Sequence, residues 1–185
     1  MDYKNKSNIR LIEKINKLEK QYNEIKFSNT QKILLTTDGS ITSILDVLYG
    51  KIDLKTIDQH FEKANKTSAK YVNVNIGDTL NYREIIMHKN NKPLIYAISY
   101  IPLKRVNEKM KEDLIRADIP IGRILKNYKI ETRREINNIK IENTTDKIKE
   151  IYKTESNIMT REYTIIHNNE ILFWIKEMFP ITIFK

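Results

Sequence analysis

The sequence predicts an α+β fold in which helices pack on one face of an antiparallel β-sheet. Two observations carry this prediction. First, two segments of twenty residues, at 83–102 and 161–180, each read as two apolar strands joined by an Asn-Asn turn. Second, segments with helical periodicity precede and separate these hairpins. Hairpin-connected strands pair antiparallel, and helices between them cover the apolar face of such a sheet.

The two twenty-residue segments align without a gap and are identical at six positions. The shared residues are the opening Arg-Glu, the central Asn-Asn, a Leu three residues later and the closing Pro. Asn tolerates the positive φ of tight hairpin turns, so Asn90-Asn91 and Asn168-Asn169 are expected at the turns. We therefore expect both hairpins in one sheet, with the two halves sharing a pocket.

The composition predicts one domain with an added helix. A chain of 185 residues with 40% hydrophobic residues can bury a core, and no Pro/Gly/Ser-rich linker divides it. We predict an N-terminal helix within residues 1–30 and one domain over 31–185. No apolar stretch reaches the roughly eighteen residues of a membrane-spanning helix, and no signal peptide is recognisable, which predicts a cytoplasmic protein without a membrane partner.

In the first half, the apolar positions of a helix at 8–27 recur at steps of three and four: Leu11, Ile15, Leu18, Tyr22 and Ile25. A short apolar run at 32–36 leads through a turn to a second helix at 41–48, which Gly50 ends. Residues 51–70 are polar and mixed, so a loop or weak helix is expected there. Val72, Val74 and Ile76 alternate with polar residues and predict a half-buried strand.

In the second half, the periodicity predicts a helix over 103–114. Residues 118–125 read as a turn that leads into another short helix. A strand follows at 131–141 and a short surface helix at 144–152, before the second hairpin closes the chain.

Several kinds of site are absent from the sequence. The four glycines are scattered and form no phosphate loop, there is no cysteine, and the three histidines lack carboxylates at metal-ligand spacing. Serine nucleophile elbows are also missing. We therefore expect any enzymatic activity to need no metal or other cofactor. The net charge of +9 comes from scattered residues without a basic helix, which favours a small anionic ligand over nucleic acid.

Two charged residues in the hairpins are the main candidates for a site. Arg83 is a cation on an otherwise apolar arm, although a surface charge at a strand edge would read the same way. Glu177 lies in an apolar arm, where a buried carboxylate needs a partner or titrates at a raised pKa. Its neighbour Lys176 should point to the opposite face of the sheet. Arg123 is either a helix-surface charge or a second anion contact.

The sequence resembles the chorismate lyases, in particular their archaeal and mycobacterial branch. Five segments occur in the order seen in that family: LTTDGSIT at 35–42, YREI at 82–85, the arm from 93 to 102, PIGR at 120–123 and EMFP at 177–180. The segment LLTTDGS is typical of that branch. The resemblance extends from about residue 31 to the C-terminus.

The resemblance implies a chorismate-lyase-like fold and the conversion of chorismate to 4-hydroxybenzoate and pyruvate without a cofactor. It implies that Arg83 binds the ring carboxylate and that Glu177 lies near the ring hydroxyl. A backbone contact falls on Ile121 and an apolar contact on Ile41. The bacterial ubiquinone-pathway enzymes carry a second arginine on the outgoing arm of the first hairpin, and the resemblance places Ile98 there. Either another cation such as Arg123 holds the pyruvyl carboxylate, or the substrate differs.

A non-catalytic sensor of small molecules is the alternative. The ligand-binding domains of GntR-type regulators share this fold and the hairpin-Pro pattern. They follow a winged-helix domain, for which the residues before Gln31 are too few, and this favours the enzyme. A homodimer is left open.

Overall fold

The computed structural model describes residues 3–116 and 119–185. The helices are α1 (Tyr3–Gln21), α2 (Asn29–Thr36), α3 (Ile41–Tyr49), α4 (Lys66–Val72), α5 (Glu108–Arg116), α6 (Ile121–Asn127) and α7 (Asp146–Tyr152). The strands are β1 (Asp53–Lys63), β2 (Thr79–Lys89), β3 (Lys92–Pro102), β4 (Arg133–Glu142), β5 (Ile158–His167) and β6 (Glu170–Pro180). A 3-10 turn (Leu103–Arg105) joins β3 to α5.

The six strands form one antiparallel sheet in the order β1-β2-β3-β6-β5-β4, which confirms the predicted α+β class. Both predicted hairpins lie in this sheet. Their turn residues Asn90, Asn91, Asn168 and Asn169 have φ values of 48°, 60°, 49° and 63°. These are the positive angles that a two-residue turn needs, so the prediction for the Asn pairs is confirmed.

The repeat extends beyond the hairpins. Each half of the sheet is a unit of strand, short helix and hairpin, namely β1-α4-β2-β3 and β4-α7-β5-β6. Both outer strands also carry a register shift opposite equivalent residues of the repeat, Glu84 in one half and Glu162 in the other. The units meet at β3 and β6, where Ile98 pairs with Lys176. These two residues are equivalent in the repeat, so an approximate two-fold axis passes between them.

The two faces of the sheet carry different helices. Buried residues of α1, α2 and α3 form one core cluster with Ala97 of β3, and α5 and α6 pack beside them against Ile175 of β6. The opposite face carries α4, which packs on Trp174, and α7, which packs on Met178. The expected covering of one face thus holds for five helices, whereas the two short helices of the repeated units lie on the other face.

Two elements in the first half differ from the sequence prediction. Residues 53–63, expected as a loop or weak helix, form the edge strand β1. Most of its side chains are exposed, so no apolar alternation marks it. Residues 72–76, expected as a strand, contain the end of α4 and a turn. The helix is fixed by a capping box between Asn65 and Ser68, and Asn73 ends it in the left-handed conformation.

The N-terminal boundaries also differ. The first helix ends at Gln21 rather than at residue 27, and the apolar run at 32–36 belongs to α2. A capping box between Ser28 and Gln31 starts α2. Ile15 and Leu18 of α1 lie in the same buried cluster as Leu34 of α2. The division of the chain at residue 31 stays a prediction. None of the described helices is both long and apolar enough to cross a membrane.

Candidate active site

A cavity lies between the sheet and the first turns of α3 and α6. It contains about 410 Å³ of unoccupied space, part of which is open to solvent. Its lining residues are Thr42, Leu54, Arg83, Ile85, Met87, Ala97, Ser99, Pro120, Ile121, Gly122, Tyr163, Ile175 and Glu177. A mainly apolar wall with a few converging polar groups is typical of a site for a small organic molecule.

The outer wall of the cavity depends on a close approach between two helices. Ser40 caps the N-terminus of α3, and its hydroxyl accepts a hydrogen bond from the N–H of Ser43. A Cβ atom at Gly122 would lie 2.8 Å from the Ser40 hydroxyl oxygen, so a larger residue there would displace this capping hydroxyl or move α6 away. The approach brings Thr42 and Ile121 to the same cavity.

Arg83 is fully buried on β2, with 1% of its surface exposed. It is therefore not an exposed charge at a strand edge. Its Nη1 donates a hydrogen bond to the carbonyl oxygen of Ile119 at 3.1 Å. Of the cavity-lining side chains that the structure describes, that of Arg83 is the one cation. A planar guanidinium in an apolar wall suits a planar carboxylate, which it can bind through two parallel hydrogen bonds.

Glu177 is also buried, and both of its carboxylate oxygens have a contact. The Tyr163 hydroxyl donates a hydrogen bond to Oε1 at 3.0 Å. The Nε atom of Arg161 lies 2.9 Å from Oε2. Despite this short distance, the N–H at Nε of Arg161 is poorly aligned with Oε2 of Glu177. The contact is therefore an ion pair and not a hydrogen bond. Arg161 is the partner that a buried carboxylate at this position needs.

Tyr163 is fixed between the same two charges. The guanidinium carbon of Arg161 lies 4.5 Å from the centre of the Tyr163 ring, within the range of a cation–π contact. Burial raises the pKa of the Tyr163 hydroxyl, and the negative charge of Glu177 raises it further. The hydroxyl therefore stays protonated at neutral pH and acts as a hydrogen-bond donor toward Glu177.

Three of the predicted site residues, Arg83, Ile121 and Glu177, come together at this cavity. Ile41 does not line it. The side chain of Ile41 points into the apolar core with Leu34 and Leu45, and the next residue, Thr42, faces the cavity instead.

Arg123 lines a neighbouring outer cleft, which shares Leu54, Pro120 and Gly122 with the cavity. Its Nη2 donates to the two carboxylate oxygens of Asp46 at 2.9 and 3.0 Å. Burial alone would raise the pKa of Asp46, but the hydrogen bonds from the N–H of Ile52 and from Arg123 outweigh it, so the pKa is lowered.

Ile98 does not face the cavity either. The cavity is lined by its neighbours Ala97 and Ser99, and Ile98 lies on the opposite face of the sheet, packed in the clusters under α4 and α7. The residue directly across from Arg83 is Ser99. Ser99 is therefore the polar residue of this arm that lines the cavity. Lys176 faces away from the cavity, as predicted, and pairs with Glu142 at 2.8 Å.

The sequence predicts no role for Arg161, Tyr163, Thr42 or Ser99. Two signals could have identified three of them. The repeat makes Arg161 the equivalent of Arg83, and Ser99 the equivalent of Glu177. Strand alternation then places Tyr163, two residues after Arg161, on the same face. For Thr42, the helical period alone does not tell the cavity side from the core side.

The fold is that of an α+β domain, and its cavity has the mainly apolar lining that is typical of a small-molecule site. The chain belongs to the chorismate pyruvate-lyase Rv2949c-like family, whose model matches residues 35–185. It is also 41% identical over 160 residues to a Methanocaldococcus jannaschii protein named "Putative lyase MJ0807", covering 83% of this chain and 79% of that protein. Family and relative both indicate a lyase.

Solved structures with a similar fold include transcriptional regulators and their domains. The effector domain of PhnF from Mycobacterium smegmatis matches 78% of this chain and 90% of its own length, with a TM-score of 0.65 and 10% identity. A GntR-family regulator from Bacillus cereus matches 72% of this chain and 94% of its own length, with a TM-score of 0.59 and 14% identity. At these identities the similarity concerns the fold alone.

Proposed function

We propose that this protein is a chorismate lyase that converts chorismate to 4-hydroxybenzoate and pyruvate. The observation that carries the proposal is that Arg83 and Glu177, which are distant in sequence, line one cavity in a chain of this family. The net charge of +9 would help to attract a dianionic substrate.

The reaction divides one molecule into two without an external reactant. The C–O bond between the ring and the enolpyruvyl group breaks, and the ring carbon that bears the hydroxyl loses its proton. The electron pair of that C–H bond completes the aromatic ring. The released enolpyruvate takes up one proton on its methylene carbon and becomes pyruvate. Aromatisation supplies the driving force, so the protein needs to bind, orient and polarise the substrate rather than supply a cofactor.

In this proposal Arg83 binds the ring carboxylate through paired hydrogen bonds. Glu177 lies toward the ring hydroxyl as its hydrogen-bond acceptor, with Tyr163 beside it. The main chain at Ile121 contacts the substrate from α6, and Ile41 supports the wall behind Thr42. Arg123, in the adjoining cleft, is the candidate for the pyruvyl carboxylate, for which it would exchange its contact with Asp46.

A second candidate function is the non-catalytic binding of an aromatic carboxylate. The similarity in fold to the effector domain of a transcriptional regulator favours it. The same cavity and the same Arg83 would serve, and Glu177 would select a hydroxyl group on the ligand. The two functions differ in whether the ligand leaves the site changed.

The test is to incubate the purified protein with chorismate and to identify the products by mass spectrometry. We expect 4-hydroxybenzoate and pyruvate in equal amounts, with activity that a metal chelator does not remove. Glu177→Gln should lower kcat more than it lowers affinity for 4-hydroxybenzoate. Glu142→Gln, which alters a carboxylate on the opposite face of the sheet, is the control. Unchanged chorismate would contradict the lyase, and binding without turnover would favour the sensor.

A further inference from the structure

We propose that Arg161 is a positioning residue, which holds the carboxylate of Glu177 in the orientation that the reaction needs. This inference rests on the proposed function for the reaction concerned. Arg161 does not line the cavity itself. It acts through Glu177, with which it forms a fully buried ion pair on adjacent strands.

The contacts of Arg161 fix its guanidinium from two sides. Nη1 donates to the carbonyl oxygen of Leu34 at 2.6 Å and to that of Thr37 at 3.1 Å. These carbonyls belong to the last turn and the C-cap of α2, where a cation is favourable. On the other side, the guanidinium lies over the ring of Tyr163 and beside Glu177. The end of α2 thus sets the position of Arg161, and Arg161 sets that of Glu177.

Stability alone is a weak reason for this arrangement. A buried ion pair gains little or nothing over apolar residues of similar volume, because both charges lose their hydration. Within the described part of the chain, Nη2 of Arg161 is also buried without a hydrogen-bond partner, which adds a further cost. A buried arginine with this cost, whose charge lies against a cavity-lining carboxylate, points to a role in the site.

The repeat supports the same division of roles. Arg83 and Arg161 open the two equivalent segments, and both are buried. Across the strand from Arg83 lies Ser99, and across from Arg161 lies Glu177. One arginine therefore lines the cavity, whereas its equivalent lies behind the carboxylate that lines it.

The test compares Arg161→Gln and Arg161→Lys with Arg105→Gln. Arg105 is a matched control, because its side chain is also largely buried and donates to backbone carbonyls, those of Val72, Asn73 and Ile171, away from the cavity. We expect Arg161→Gln to lower kcat for chorismate by ~100-fold, since a displacement of about 1 Å in a site can have that effect. The KM and the affinity for 4-hydroxybenzoate should change much less, because Arg83 is intact. Arg161→Lys should recover part of kcat, because it keeps the charge without the planar fork.

A merely structural role would lower the melting temperatures of Arg161→Gln and Arg105→Gln alike and leave kcat of the folded fraction unchanged. That result would overturn the proposal. If Arg161→Gln does not fold, Arg161→Lys is compared with Arg105→Gln instead.

If the wild-type protein does not convert chorismate, the proposed reaction fails. The role of Arg161 is then tested by a crystal structure of Arg161→Lys. A Glu177 carboxylate displaced from its wild-type position would support it, and an unmoved carboxylate would overturn it.

Discussion

Arg83 and Arg161 illustrate how one residue type can take two roles in a repeated framework. Each is buried on the second strand of its unit and faces the same side of the sheet. The difference lies in the residue across the strand, which is Ser99 in one unit and Glu177 in the other. The chemistry of the cavity therefore depends on which residue faces each arginine in the repeated unit.

Replacing Arg83 by Ala should weaken the binding of 4-hydroxybenzoate and raise the KM for chorismate. Removing one partner of a desolvated charge pair costs about 2–5 kcal/mol, or at least ~30-fold in affinity. Arg83→Lys should recover only part of this, because an ammonium group cannot form two parallel hydrogen bonds to a carboxylate. Isothermal titration calorimetry with 4-hydroxybenzoate measures the effect.

The control for Arg83→Ala is Arg105→Ala, which removes an arginine held by backbone carbonyls outside the cavity. It should lose stability and retain affinity. If Arg83→Ala binds 4-hydroxybenzoate as tightly as the wild type, Arg83 is not part of the binding site.

The presence of Arg83 and Glu177 at one cavity could be predicted from the sequence, because each interrupts an apolar arm of a recognisable hairpin. The side chains that complete the site were harder to find. Whether residue 41 or 42 of α3 faces the cavity depends on how α3 is rotated against the sheet, which tertiary packing decides. For Ile98 the information was present, since strand alternation puts positions 97 and 99 on one face and position 98 on the other.

The repeated unit of strand, short helix and hairpin explains most of the sheet. Its two copies meet at β3 and β6, so the cavity-facing side chains of both units converge near the approximate two-fold axis. The hairpins were predictable from apolar alternation and the Asn-Asn turns. The unit as a whole was not recognised, because β1 is a polar edge strand and α4 is defined by caps rather than by an apolar stripe.

The repeat predicts the effect of Ser99→Glu. A carboxylate at position 99 would lie across from Arg83 as Glu177 lies across from Arg161, and it would pair with Arg83 and repel an anionic ligand. We expect affinity for 4-hydroxybenzoate to fall by ~30-fold or more, with little loss of thermal stability. Ser99→Gln adds similar volume without the charge and should have the smaller effect on binding. Equal losses in both variants would indicate that volume, rather than charge, is responsible.

Across the whole molecule, the buried charged residues on the two faces of the sheet have different partners. The cavity face contains Arg83, Arg161 and Glu177. On the opposite face Glu84 is buried, accepts a hydrogen bond from Tyr82 and pairs with Lys147 of α7. Burial alone would raise the pKa of Glu84, but the hydrogen bonds from Lys147 and Tyr82 outweigh it, so the pKa is lowered. This network ties α7 to the sheet away from the proposed site.

Because the folded-state pKa of Glu84 lies below its ordinary value of 4.5, its ionised form stabilises the fold at neutral pH. This contribution is complete above the unfolded-state pKa and is lost as the pH falls through the lower folded-state value. Glu84→Gln should therefore lower the free energy of unfolding by about 1–3 kcal/mol at pH 7, and the difference from wild type should shrink below about pH 4. Glu162→Gln, at the equivalent position of the second unit, is the matched control for urea unfolding at each pH. A difference that does not depend on pH would contradict the assignment.

The proposed site and the proposed reaction can be tested together by a crystal structure of the protein with 4-hydroxybenzoate. We expect the ligand in the cavity between the sheet and α6, with its carboxylate within about 3 Å of the Arg83 guanidinium. Its hydroxyl should lie toward Glu177 and Tyr163. A ligand bound outside this cavity, or bound within it with the carboxylate at Glu177 and the hydroxyl at Arg83, would contradict the account.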